Sequence, residues 1–221
     1  MKTKSKLIIL IVVLSVCVVA TVTGVTVAYW IGAEGDNEIA PQTDTTDWNY
    51  WSKYFIYQAV TNEQGVVIGY KTIGFEGTTL ENVVIPRFAT GGRLLNADGT
   101  YTEITATNAA VLYVGNSTFA GTTDKAIPVT LTLPTTVNVE AGAFAGLTNL
   151  TTIKVISVKY HTGNNYDIDM EIGSQAFAGC HNVVKFVAAS NINFTVGGAG
   201  VNFQKLLEAT GLPTNLEQSA H

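Results

Sequence analysis

The sequence Ala-Phe-Ala-Gly-Leu-Thr-Asn-Leu at residues 143–150 returns 33 residues later as Ala-Phe-Ala-Gly-Cys-His-Asn-Val at residues 176–183. A shorter third copy, Thr-Phe-Ala-Gly, begins at Thr118. Repeats of about 20–50 residues with fixed apolar positions are typical of architectures in which each unit buries its apolar face against its neighbours. We therefore expect residues 83–200 to fold as successive, similar units.

Equivalent positions in these units predict a shared core. The phenylalanine is the large inward side chain, and the glycine after it turns the chain. An apolar-x-apolar segment follows, which predicts a short strand whose side chains alternate between two faces. We expect these strands to stack in parallel. The predicted core residues are Phe119, Phe144, Phe177, Leu150, Val183, Ile153, Phe186 and Cys180.

The segment Ile172–Cys180 resembles the bacterial surface leucine-rich repeat of the BspA or treponemal type, whose unit reads roughly Ile-x-x-x-Ala-Phe-x-Gly-Cys-x-x-Leu-x-x-Ile-x-Ile-Pro. Residues 139–155 match with Leu147 in the cysteine position, and Val83-Val84-Ile85-Pro86 is similar to the end of the cap that precedes such arrays. The resemblance covers residues 54–190. It implies a mainly β protein with short helices, folded as a short, irregular leucine-rich-repeat-like solenoid behind an N-terminal hydrophobic helix.

The units are less regular than those of the family. The repeated phenylalanines lie 25 and 33 residues apart, whereas the family unit has about 23 residues. Residues 87–113 and 156–168 are therefore interpreted as insertions.

Residues 1–31 are predicted to be a signal peptide or a transmembrane anchor. Three lysines within residues 2–6 precede the uncharged stretch 7–31. A basic start followed by an apolar run is typical of a secretory signal, and about 20 apolar residues suffice to cross a bilayer. Cleavage after Ala28 and retention as an anchor are both compatible with the sequence, and either one exports the remainder.

Two resemblances within this leader suggest other forms of processing. Residues 14–17 are similar to a lipobox, which would acylate Cys17, although Val16 stands where a small residue is usual. Residues 24–30 resemble the end of a bacterial signal-peptide class found on surface and biofilm-matrix proteins.

The rest of the chain divides by composition and turn signals. Residues 32–47 predict a flexible linker, and 48–82 a β-hairpin cap that turns at residues 62–65. The aromatic cluster at residues 48–57 is expected to cover the end of the core, with a carbohydrate platform or an interface belt as the alternatives. Residues 83–200 hold the irregular repeats, and 201–221 a short C-terminal helix, predicted over 202–209, and a tail.

Composition excludes several functions. The chain carries a net charge of −5 and no basic cluster beyond its N-terminus, which excludes nucleic acid as a partner. No nucleotide-binding or hydrolase motif and no nucleophile–base set occurs, so we expect neither enzymatic activity nor a cofactor. Only Cys180 follows the leader, so the exported part has no internal disulfide.

Asp167, Asp169 and Glu171 alternate with apolar residues and would share one face of a strand. Clustered carboxylates are ligands that Ca²⁺ prefers, which makes these three a calcium candidate. The alternative is a solvated strand face. His161 and His181 lack partners at metal-ligand spacing, and Cys180 is interpreted as structural.

These features predict an exported bacterial cell-surface protein, secreted or held by a single pass with its N-terminus in the cytoplasm. Its repeat module would bind an extracellular protein or a host or matrix component, through the strand face and the two insertions. It would contact the membrane through residues 7–31 if the leader is uncleaved. The alternative is a structural subunit of a surface layer or biofilm-matrix fibre.

Overall fold

The computed structural model describes residues 48–77, 81–107, 109–120, 128–157 and 168–219. The fold is mainly β, with few helices, as expected. The predicted leader and linker lie outside the described residues, as do His161 and Asp167. The helices described are α1 (Trp48–Ser52) and α2 (Phe203–Thr210). The strands are β1 (Phe55–Thr61), β2 (Val67–Phe75), β3 (Asn82–Val84), β4 (Arg93–Leu95), β5 (Tyr101–Glu103), β6 (Val111–Val114), β7 (Thr130–Pro134), β8 (Asn138–Val139), β9 (Thr152–Ile156), β10 (Ile168–Glu171), β11 (Lys185–Ala188), β12 (Ile192–Val196), β13 (Ala199–Val201) and β14 (Gln218–Ser219).

One strand from each unit joins a five-stranded, wholly parallel sheet in the order β3-β7-β9-β11-β14. Val83, Leu131, Ile153 and Phe186 are aligned residue for residue across its first four strands. All four are fully buried. The predicted parallel stacking is therefore confirmed, in the register that the repeat spacing indicated.

A second ladder runs along the other side of the core. The six-stranded sheet has the order β5-β4-β1-β2-β6-β8, in which β2, β6 and β8 are parallel. A bridge between Val139 and Ile172 joins this ladder to the end of β10. β10 in turn pairs with β12 and β13 in a three-stranded sheet.

The predicted N-terminal hairpin is confirmed as the antiparallel pair β1 and β2. The side-chain oxygen of Asn62 accepts hydrogen bonds from the main-chain N–H groups of Gln64 and Val66, at 3.1 and 2.9 Å. Gly65 follows with a φ of 77°, a conformation that glycine adopts without steric cost. The aromatic cluster divides, because Phe55 and Tyr57 are buried whereas Tyr50 is exposed.

The insertion predicted at residues 87–113 includes most of one strand that belongs to the repeated units. Residues 93–103 do depart from the repeat, as the β4–β5 hairpin beside β1. Residues 111–114, however, form β6, which belongs to the repeated ladder between β2 and β8. The apolar run Val-Leu-Tyr-Val fits this position because strands with neighbours on both sides favour β-branched and aromatic residues.

A column of phenylalanine rings lies between the two ladders. Consecutive ring centroids are 4.9 to 5.4 Å apart along Phe55, Phe75, Phe119, Phe144 and Phe177. Main-chain hydrogen bonds tie each turn of the chain to the next, as from Phe144 N to the carbonyl of Ala176 and from Phe177 N to that of Thr210, both 2.8 Å. All eight predicted core residues are buried.

The C-terminal end closes with the predicted helix and then with a further strand. α2 begins after Asn202, whose side chain caps Lys205 N at 2.9 Å, and ends at Gly211 in the left-handed conformation. The following residues do not form a simple tail: Leu216 is buried and β14 pairs with β11. Leu150, Val183 and Leu216 are spaced 33 residues apart, so the tail contains part of a further unit.

Candidate binding face

The outward face of the five-stranded parallel sheet is the candidate binding face. Side chains on a strand alternate between two sides, so the neighbours of the buried row point away from the core. One outward row aligns Asn82, Thr130, Thr152 and Lys185. The first and last of these side chains are exposed, and the two threonines are half-buried. The next outward row aligns Val84, Thr132, Lys154 and Val187, of which only Lys154 is not buried. The accessible part of the face therefore consists of the first row and Lys154.

Two lysines set the charge of this face. Lys154 lies on β9 and Lys185 on the adjacent β11. The five strands contain no aspartate or glutamate, although Glu81 and Glu217 precede the two edge strands. Within the described residues, neither lysine forms an ion pair. Both ammonium groups are therefore available to a partner, on a chain whose net charge is negative.

Sequence reasoning expected a strand face but did not identify these lysines. The signal was present in the alternation of Thr152, Lys154 and Ile156 with the buried Ile153 and Val155. The 33-residue offset that pairs Ile153 with Phe186 also places Lys185 beside Thr152. No motif, however, marks either lysine as a binding residue.

The two described calcium candidates are occupied by protein groups. The carboxylate of Glu171 accepts hydrogen bonds from the hydroxyl of Thr195 and from the main-chain N–H of Gly197, the latter at 2.6 Å. Asp169 is exposed and accepts from the side chain of Asn193 at 3.3 Å. Across the part of the chain that is described, no three His, Cys, Asp or Glu side chains come together as metal ligands would. Glu171 therefore stabilises the turn between β12 and β13 by accepting these hydrogen bonds.

Cys180 occupies a structural position in the core. Its thiol is buried and donates a hydrogen bond to the carbonyl of Phe144 in the preceding unit, with Sγ 3.2 Å from the oxygen. Burial raises the pKa of the thiol to about 11, because an apolar environment disfavours the thiolate. The neighbouring His181 is exposed.

Cys180 is expected to be unreactive in the folded protein. In a Cys17→Ser background it is the only thiol, and Ellman's reagent at pH 8 should modify it only in denaturant, because the thiolate is the reactive form. The folded pKa lies above the ordinary value of 9.0, so the neutral thiol's contribution to stability is complete below pH 9 and lost as the pH rises towards 11. Unfolding free energies measured from pH 8 to 11 should fall more steeply for this protein than for its Cys180→Ala variant. Rapid labelling of the native protein would contradict the burial.

None of the helices in the described ranges is long and apolar enough to cross a membrane. No protein-family model, curated protein or solved structure matches this chain.

Proposed function

We propose that this chain is an exported bacterial cell-surface protein whose repeats form a short, irregular leucine-rich-repeat-like solenoid for protein binding or adhesion. The observation that carries the proposal is the five-stranded parallel ladder. Its apolar row is aligned and buried, and its polar row is aligned and turned outward. Two ladders joined unit by unit, with a column of rings between them, support the solenoid interpretation.

The outward face suits protein recognition because it is already ordered. Neighbouring strands hold their side chains about 4.8 Å apart, so little conformational entropy is lost when a partner docks. Threonine hydroxyls both donate and accept hydrogen bonds. Lys154 and Lys185 favour an acidic surface on the partner, since complementary charge accelerates and orients association.

The proposal that the protein is exported depends on residues 1–31. The basic start and uncharged stretch of residues 1–31 direct the remainder across the membrane, whether the leader is cleaved or retained. The partner is then an extracellular protein or a host or matrix component. Antibody labelling and protease treatment of intact producing cells test this step, and labelling only after lysis would overturn it.

Reversing the charge of the face should reduce adhesion. Beads coated with the Lys154→Glu/Lys185→Glu double variant should bind cultured epithelial cells or extracted extracellular matrix at least about tenfold less than beads carrying the unchanged protein. Lys53→Glu/Lys205→Glu is the matched control, because it makes the same charge change at two exposed lysines outside the sheet. Equal loss with both variants, or no adhesion by the unchanged protein, would overturn the proposed role of the face.

A structural fibre subunit is the second candidate. β5 lies at the edge of its sheet and all three of its residues are exposed, and an unpaired strand edge is a template for pairing with another chain. Sedimentation over a wide concentration range separates the two functions. Concentration-dependent filaments would favour the subunit, and a monomer at every concentration would favour the binding module.

A further inference from the structure

An open groove of about 440 Å³ lies on the second ladder, outside the core. It runs over β6, β8 and the end of β10, and Val114 and Ile172, which do not line it, are buried in the core. Its volume falls within the range of about 300–1,000 Å³ that is usual for small-molecule sites. This groove lies apart from Lys154 and Lys185, which belong to the other sheet.

The strands along the groove are already paired on both sides. β6 lies between β2 and β8, and β8 lies between β6 and Ile172, so these strands present no free edge to an extended peptide. Gly173 allows the main chains of two units to approach closely beside the groove. A Cβ at this position would lie 2.3 Å from the main-chain nitrogen of Ala141.

Two carboxylates stand in the groove in fixed positions. Glu140 accepts from the ammonium group of Lys71 at 3.2 Å and from the main-chain N–H of Asn116 at 3.3 Å. Glu171 is held by Gly197 N and the hydroxyl of Thr195. Because protein donors orient each carboxylate, the remaining lone pairs are preorganised as acceptors.

An aromatic ring and an amide lie beside these carboxylates. Tyr113 and Asn138 are cross-strand partners on β6 and β8, and both are half-buried. The side-chain oxygen of Asn138 accepts from Glu171 N at 3.3 Å. Its NH₂ group has no hydrogen-bond partner within the described residues. The groove therefore offers an apolar ring face, fixed acceptors and an uncommitted donor.

We propose that this groove binds a saccharide. A pyranose ring has an apolar C–H face, which stacks on an aromatic side chain, and a rim of hydroxyls that donate and accept hydrogen bonds. A free cation is disfavoured, because the ammonium group of Lys71 neutralises Glu140 and the donors of Thr195 and Gly197 occupy the carboxylate of Glu171. An extended peptide is disfavoured, because the groove has no strand edge with which it could pair.

Calorimetric titration of the full chain, in a detergent without a sugar headgroup, tests the proposal. The probes are chitohexaose, cellohexaose and mannohexaose, each at up to about 5 mM. At least one should bind, and Tyr113→Ala should weaken its affinity by roughly tenfold or more. Tyr101→Ala is the matched control, because Tyr101 is an exposed tyrosine on β5, four strands away from β6 in the sheet. The affinity of the Tyr101→Ala variant for the sugar should equal that of the unchanged protein.

A second variant distinguishes loss of the binding site from misfolding. Asn138→Asp keeps the shape and the acceptor for Glu171 N but removes the free donor, so it should also weaken binding while thermal unfolding stays cooperative. Absence of binding to all three sugars, equal affinity in Tyr113→Ala, or binding of hexaglycine instead would each overturn the proposal. Sugar binding that survives Lys154→Glu/Lys185→Glu would separate this site from the adhesion face.

Discussion

Phe177→Ala is expected to lower the free energy of unfolding by about 3–5 kcal/mol, as truncations of buried aromatic residues do. The ring is fully buried and stacks on Phe144, with centroids 5.1 Å apart and planes 14° apart. Its main-chain N–H is bonded to Thr210 at the end of α2. Because the surrounding units are tied to one another by such bonds, they are poorly able to collapse into the cavity. Urea unfolding of the two proteins measures the difference.

The control for this prediction is Tyr101→Ala. Tyr101 is 46% exposed, and the guanidinium of Arg93 lies 4.3 Å from its ring centroid. An exposed cation–π pair contributes about 0.5–1 kcal/mol, so this variant should lose no more than that. A near-neutral effect of Phe177→Ala, or equal losses in the two variants, would show that the repeated phenylalanine is not the core residue of its unit.

Gly173→Ala is expected to lower the free energy of unfolding by about 3 kcal/mol, at the upper end of the range for overpacking. The new Cβ would lie 2.3 Å from Ala141 N and 2.5 Å from the carbonyl carbon of Glu140. These are main-chain atoms of the neighbouring unit and cannot rotate away. The hydrogen bond from Gly173 N to the carbonyl of Val139, 2.7 Å long, would be strained as the two units separate.

Gly200→Ala is the matched control, because no atom lies within 4 Å of a Cβ built there and its φ is not left-handed. It should change stability by less than about 0.5 kcal/mol. Chemical denaturation of both variants provides the comparison. A tolerated alanine at Gly173 would mean that the two units are not packed as closely as the ladder requires.

Short sequence patterns predicted the turns, the helix ends and the pairing of the most similar repeats. The hairpin turn at Asn62 and the helix between Asn202 and Gly211 were found because capping and turn residues act within a few positions. The pairing of Ile153 with Phe186 was found because the two units share a copied sequence. Where the copy is degenerate, as at Val111–Val114 and Gln218–Ser219, the strands were assigned to an insertion and a tail.

The candidate sites were harder to predict than the core. The alternation of Asp169 and Glu171 with apolar residues predicts either a calcium site or a solvated strand face, and the structure brings Thr195 and Gly197 to Glu171. The groove of Tyr113 and Asn138 joins residues from β6, β8 and β10, and none of these strands carries a motif. A site assembled across units depends on register, and register is a long-range property.

The repeated Ala-Phe-Ala-Gly sequence, with the apolar positions that follow it, was sufficient to establish a β-rich stack of units with phenylalanine at its centre. Burial of a large apolar side chain at the same position of each repeated motif admits few other arrangements. The 33-residue offset also places Lys154 and Lys185 on adjacent strands of one face, whereas only the tertiary structure gathered Tyr113, Asn138 and two glutamates into one groove. The residues of this groove come together because their strands are neighbours in the fold. A polar surface residue contributes little to folding, so its pairing across strands is not evident from the sequence pattern.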